Sequence, residues 1–162
     1  MMDSIKTPIP ELVGDVRAHV KLDPGFKAFV MWTKSVHMPV IFLSSGTNSI
    51  IWALLVYLIG LEAKDIEIVC NDVQDRPPKT KEREGGWQIK IHDHGEFSHE
   101  KGLAIRPYAE KIGEMPLEKR PTTFCTGDGV SDLSVARETD LLFAKSGRGM
   151  SRRSPSSSCE LD

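Results

Sequence analysis

Apolar residues recur at helical spacing near the start of the chain and later give way to short unbroken apolar runs. Leu12, Val13, Val16 and Val20 fall on one stripe with Pro10 near the first turn, which predicts a helix over residues 9–20. Asp23 and Pro24 then open a second helix, the aspartate as cap, whose stripe is Phe26, Phe29 and Val30. The run PVIFL (39–43) is wholly apolar, the pattern of a strand covered on both faces, and Ser44-Ser45-Gly46 ends it. An apolar helix over 48–60 follows, and then IEIVC (66–70), a second strand of the same kind. Residues 72–86 are polar and carry two prolines, hence a loop, whereas WQIKI (87–91) alternates as a more exposed strand does. A helix around 101–113, the apolar TTFCT (122–126), a helix-like stretch from Leu133 to Thr139 and the strand DLLFA (140–144) complete the series. Buried strands alternating with helices predict an α/β fold with a mainly parallel, Rossmann-like sheet flanked by helices.

Composition narrows the setting. The 162 residues amount to about one domain, with ordinary hydrophobic (40%) and charged (27%) shares, and can bury a real core. A formal net charge of −2 argues against general nucleic-acid or membrane-surface binding. The longest apolar run, Ile50 to Leu61, is too short for a membrane span, which needs about 20 residues. No signal peptide is expected from the polar, proline-broken first residues. Cys70, Cys125 and Cys159 form no disulfide or metal-binding pattern, so a reducing, cytoplasmic setting is expected. From Ser146 on, the chain is serine- and arginine-rich without apolar period, and residues 146–162 are expected to be a disordered tail.

The chemistry-bearing residues fall at strand ends, where ligands of such sheets bind. Ser44 and Ser45 lie where PVIFL stops, beside a helix N-terminus, a natural seat for phosphate. Asp128 and Asp132, in CTGDGVSDLS (125–134), lie just beyond TTFCT and offer the hard oxygen ligands that suit Mg²⁺. Lys101 opens the helix before that strand, where an ammonium can balance phosphate charge. Each element has a plainer explanation: Asp-Gly is a common turn dipeptide, Ser131 or Asp132 could cap the next helix, and a lysine at a helix start is usually solvated.

In their order, strand–Ser, then Lys, then strand–GDGxxxD, these motifs resemble the haloacid dehalogenase-like (HAD) phosphatases, in the branch of phosphoserine phosphatase. VIFLSSG (40–46) matches the family's serine motif, HEKG (99–102) its lysine and GDGVSDLS (127–134) its metal-binding acidic motif. The resemblance covers about residues 23–145 and implies a Mg²⁺-dependent phosphomonoester hydrolase of a small phosphorylated metabolite. By position, Ser44 would hydrogen-bond the phosphoryl group, with Ser45 and Gly46 beside it. Lys101 would neutralise that group, and Asp128 would ligate Mg²⁺ with Asp132 in support. Asn71 also resembles a position of this branch.

The same resemblance implies an apolar strand ending in DxDx[TV], whose first aspartate attacks phosphorus, and no Asp-x-Asp occurs in the chain. Residues 1–22 look instead like the end of a helical cap, with an incomplete phosphatase core over 23–145. The missing strand would lie centrally, between the Ser44 and Asp128 strands. Without it those two either pair directly or leave the sheet split. A second reading is therefore a catalytically inactive remnant that binds phosphate or a protein partner without turnover. A third takes His92, His94, His99 and Glu100 as a zinc site, against the plainer one of a polar loop leading to Lys101.

Overall fold

A computed structural model describes residues 5–92, 100–145 and 159–161, and the chain divides into two compact units, Met1–His94 and Gly95–Asp162. In the first unit, helices α1 (Ile9–His19) and α2 (Phe26–Ser35) precede strand β1 (Ile41–Thr47) and helix α3 (Asn48–Ile59). A 3-10 turn, Gly60–Asp65, leads to β2 (Glu67–Asp75) and β3 (Trp87–Lys90). Pro10 sits in the first turn of α1, where a missing N–H costs nothing, and Arg17 and His19 close its last turn, as the helix dipole favours. Gly60, at φ +79°, takes the left-handed backbone that ends α3, a conformation a side chain would resist.

β1 and β2 are parallel, and β3 pairs antiparallel with the second half of β2, so the sheet order is β1-β2-β3. Val30 of α2 and Leu55 and Ile59 of α3 form the main core with Ala63 and Ile66. Ile9 of α1 packs separately with Val73 and Trp87. Lys34, whose ammonium meets Glu62 and lies 2.7 Å from Asp65, ties α2 to the 3-10 turn.

The second unit comprises α4 (Lys101–Gly113), β4 (Phe124–Gly127), a 3-10 helix (Val130–Arg137), β5 (Leu141–Lys145) and β6 (Cys159–Leu161). The three strands are parallel in the order β4-β5-β6, with Phe124 and Phe143 edge to face across β4 and β5 at 5.9 Å. Among the described residues no helix is long and apolar enough to cross a membrane.

The expected α/β architecture is present, and five details differ from the pattern along the chain. Asp23 and Pro24 do not open α2: its N-cap is Gly25, whose N–H Asp23 Oδ1 accepts at 2.9 Å in the turn before the helix. β1 does not stop at Ser44: it runs on to Thr47 across a break in register. β2 does not stop at Cys70, because β3 supplies hydrogen-bond partners for residues 72–75, which the sequence predicts as loop. β1 is half-buried along Ile41–Leu43, not buried as its apolar run predicts. The stretch after the acidic motif is 3-10, and begins earlier than its apolar residues suggest. The described strands form two three-stranded sheets, one in each unit. Of the serine- and arginine-rich tail, Cys159–Leu161 form β6, and the expectation for 146–158 and 162 falls outside the described residues.

Candidate functional site

In the second unit, Asp132 is the centre of a compact polar joint. Its Oδ1 lies 2.6 Å from Lys101 Nζ, and its Oδ2 accepts the Gly129 N–H at 3.0 Å. The Gly129 contact caps the 3-10 helix, so the sequence-level alternative of a helix cap holds together with the ion pair. Lys101 is the first residue of α4, and its neighbour Gly102 donates its N–H to Ser134 Oγ at 3.1 Å. Two glycines make the approach possible. A Cβ on Gly127 would stand 2.4 Å from Asp132 Oδ2, and one on Gly102 would stand 2.9 Å from the Ser134 carbonyl oxygen. Arg106 adds a second tie from α4, to Glu138 at 3.1 Å.

Asp128 follows the last residue of β4 directly and is exposed. A carboxylate at that strand end, beside one already committed to a lysine, fits a Mg²⁺ ion that takes one or two carboxylates and keeps waters and substrate oxygens as its other ligands. Among the described residues no three His, Cys, Asp or Glu side chains group as a protein-only metal site would need. The zinc reading falls largely outside the described residues, since His94 and His99 lie in 93–99, and the His92 N–H is given to Asn71 Oδ1 at 3.0 Å. Cys125 lies on β4. Burial pushes its thiol up to about 11, with the Asp132 carboxylate adding to the shift and the Lys101 ammonium opposing it.

In the first unit, Ser44 lies within β1 rather than after it, and its Oγ accepts the Gly46 N–H at 3.0 Å. Thr47, not Ser44 or Ser45, is the N-cap of α3. It makes no side-chain cap, and its hydroxyl is buried without a hydrogen-bond partner. Ser45 offers its carbonyl to Asn71 Nδ2 at 3.0 Å. The structure thus brings Lys101 and Asp132 together in one unit, and gathers Ser44, Ser45, Gly46 and Asn71 in the other. The Lys101–Asp132 contact and the Asn71–Ser45 contact both went unforeseen, because nothing in the spacing of residues 31 and 26 apart signals them.

No family model matches the chain. Among curated proteins, Pdp3-interacting factor 1 of Schizosaccharomyces pombe is 44% identical over 151 residues, which cover 93% of this chain and 62% of that protein. Polyol phosphate phosphatase PYP1 of Saccharomyces cerevisiae is 42% identical over 154 residues, covering 93% and 61%. The chain therefore spans about three fifths of the length of these curated relatives. Among solved structures, phosphoserine phosphatase in apo form superposes with a TM-score of 0.58 at 19% identity, over 88% of this chain and 64% of that one. A phospho-aspartyl intermediate analogue of phosphoserine phosphatase gives 0.57 at 18% identity, over 89% and 61%.

Proposed function

We propose that this chain, which shares the fold of the phosphoserine phosphatases and has a polyol phosphate phosphatase among its relatives, belongs to a haloacid dehalogenase-like, Mg²⁺-dependent phosphomonoester hydrolase acting on a small phosphorylated metabolite. The observation that carries this reading is the Lys101–Asp132 pair at the foot of the GDG turn. A carboxylate that grips an ammonium fixes a positive charge in place before substrate arrives, so neutralising a phosphoryl group requires no reorganisation. Lys101 neutralises the phosphoryl oxygens. Ser44, with Ser45 and Gly46, offers hydrogen bonds to a phosphoryl group. Asp128, with Asp132 in support, would hold Mg²⁺, and the ion would supply further neutralisation of charge on oxygen.

These residues bind and neutralise; none of them is the attacking group. Covalent phosphoryl transfer needs a nucleophile, and the Asp-x-Asp pair that resemblance assigns to that role does not occur in the 162 residues. The chain therefore carries an incomplete form of the machinery, one that binds phosphate without turning over an ester. Calorimetric titration with inorganic phosphate, with and without Mg²⁺, tests this. Binding that Mg²⁺ strengthens, and that Asp128→Asn and Lys101→Ala each weaken by about tenfold or more, is the expected result. Phosphate binding indifferent to Mg²⁺ and to both substitutions would overturn it. In the same preparation an aryl phosphate is hydrolysed no faster than background, and turnover abolished by Asp128→Asn would show that another nucleophile is present.

A further inference from the structure

The parallel ladder between β1 and β2 pairs Ser44 with Cys70 and then skips to Thr47 with Asn71. Ser45 and Gly46 are thus two extra residues on β1 with nothing opposite them on β2. A bulge of this kind bends a strand and re-aims its side chains, at the cost of backbone groups that lose their ladder partners. Asn71 answers that cost. It is only 3% exposed, and its carboxamide is used at both ends. Nδ2 donates to the Ser45 carbonyl at 3.0 Å, and Oδ1 accepts the His92 N–H at 3.0 Å. Reversing the amide would set oxygen against a carbonyl and NH₂ against an N–H, so these partners dictate its orientation.

We infer that Asn71 is a positioning residue: its carboxamide ties the Ser44–Thr47 bulge of β1 to the backbone at the end of β3 and so fixes how Ser44 and Gly46 are presented to a phosphoryl group. This rests on the reading of Ser44–Gly46 as the phosphate seat. The bulge is held from two sides. Inside it, Ser44 Oγ accepts the Gly46 N–H, and a Cβ on Gly46 would meet Ile51 at 3.2 Å and Ser44 Oγ at 3.3 Å, so the turn is tight. From outside, the Asn71 side chain reaches the Ser45 carbonyl. Beyond the bulge the ladder resumes at Thr47, opposite Asn71, just before α3 begins. No close substitute keeps both arms. Aspartate lacks the donor, leucine lacks donor and acceptor, and glutamine has one methylene too many for the same two partners.

Hydrogen exchange at the Gly46 amide reports the bulge directly, and titration with inorganic phosphate reports what the bulge is for. In the 162-residue chain, Asn71→Asp is expected to lower Gly46 protection by about tenfold near neutral pH, since a carboxylate then faces the Ser45 carbonyl. Protection at Leu43 and Val69, in the regular part of the ladder, should not change. Acidification that protonates the new carboxyl restores a donor, so Gly46 protection partly recovers in Asn71→Asp and does not in Asn71→Leu. Phosphate affinity should fall about tenfold in step with Gly46 protection. Wild-type protection at Gly46 in both variants, or an equal loss throughout β1 and β2, would overturn the assignment to positioning. If wild-type chain binds no phosphate at residues 44–46, the phosphate seat is wrong, and the exchange data still decide whether Asn71 holds the bulge.

Discussion

Lys101 Nζ and Asp132 Oδ1 lie 2.6 Å apart, with side chains only 14% and 11% exposed. A pair so withdrawn from water differs from the surface ion pairs of this chain in what its loss costs. Removing one partner strands a charge in a poorly solvated place, which typically costs about 3 kcal/mol. Asp132→Asn should therefore destabilise the chain by about 2–3 kcal/mol in urea unfolding. A double-mutant cycle with Lys101→Met should return a coupling of about 2 kcal/mol. Arg106→Ala should cost less, because Arg106 is half exposed and its pairing with Glu138 is screened.

Close packing around this joint leaves two glycines no room for a methyl group. Gly127→Ala would press a Cβ to within 2.6 Å of the Asp132 carboxyl carbon as well as its oxygen, and Gly102→Ala would press one against the backbone at Ser134. Both are expected to destabilise by about 1–3 kcal/mol. Gly14→Ala, where a Cβ meets nothing within 4 Å, should be neutral or stabilising, because alanine favours the helix. Thermal unfolding of the three variants checks the order, and a tolerated Gly127→Ala would show that Asp132 can shift without loss.

Cys70 and Cys125 should be slow to react although neither is in a disulfide. Burial pushes both thiols up to about 11, helped at Cys70 by the Asp72 carboxylate. The thiolate is the reactive form, so alkylation at mildly alkaline pH should accelerate sharply once the chain is unfolded in urea. The sign for stability follows. Between the unfolded value near 9.0 and the folded value near 11 the unfolded chain loses the protons first, so stability present below pH 9 declines as pH rises through that window. Cys125→Ser should make the urea midpoint less sensitive to pH there.

Asp140 sets an opposite dependence at the acid end. Its Oδ2 accepts the Thr123 N–H at 2.7 Å and the Thr123 hydroxyl at 2.8 Å, which together hold its carboxyl below the ordinary 3.8. A depressed folded value contributes stability above the unfolded one, lost as pH falls through the folded value. Asp140→Asn should therefore lower stability at neutral pH and flatten its decline in acid. A midpoint that falls as steeply with acid in the variant would remove Asp140 from the account.

What the chain determines locally is read from its sequence with little loss. The apolar run over 48–60 becomes α3, Asn48–Ile59, ended by a glycine, and the stretch around 101–113 becomes α4, Lys101–Gly113. Helix periodicity and terminators act within a few residues of one another, so they are visible in one dimension. The parallel strands are legible for the same reason, as apolar runs between turn residues. Tertiary structure decided the rest. Residues 72–75 become strand because β3, more than ten residues on, supplies their backbone partners. The bulge at Ser45 and Gly46 exists because the ladder slips between Ser44 and Thr47, and Asn71 closes it across 26 residues. Asp132 is a lysine's partner as well as a helix cap only because Lys101, 31 residues earlier, is folded against it. Hydrogen bonds and ion pairs are short-ranged and directional, and residues far apart in the chain meet them only once packing has placed their backbones.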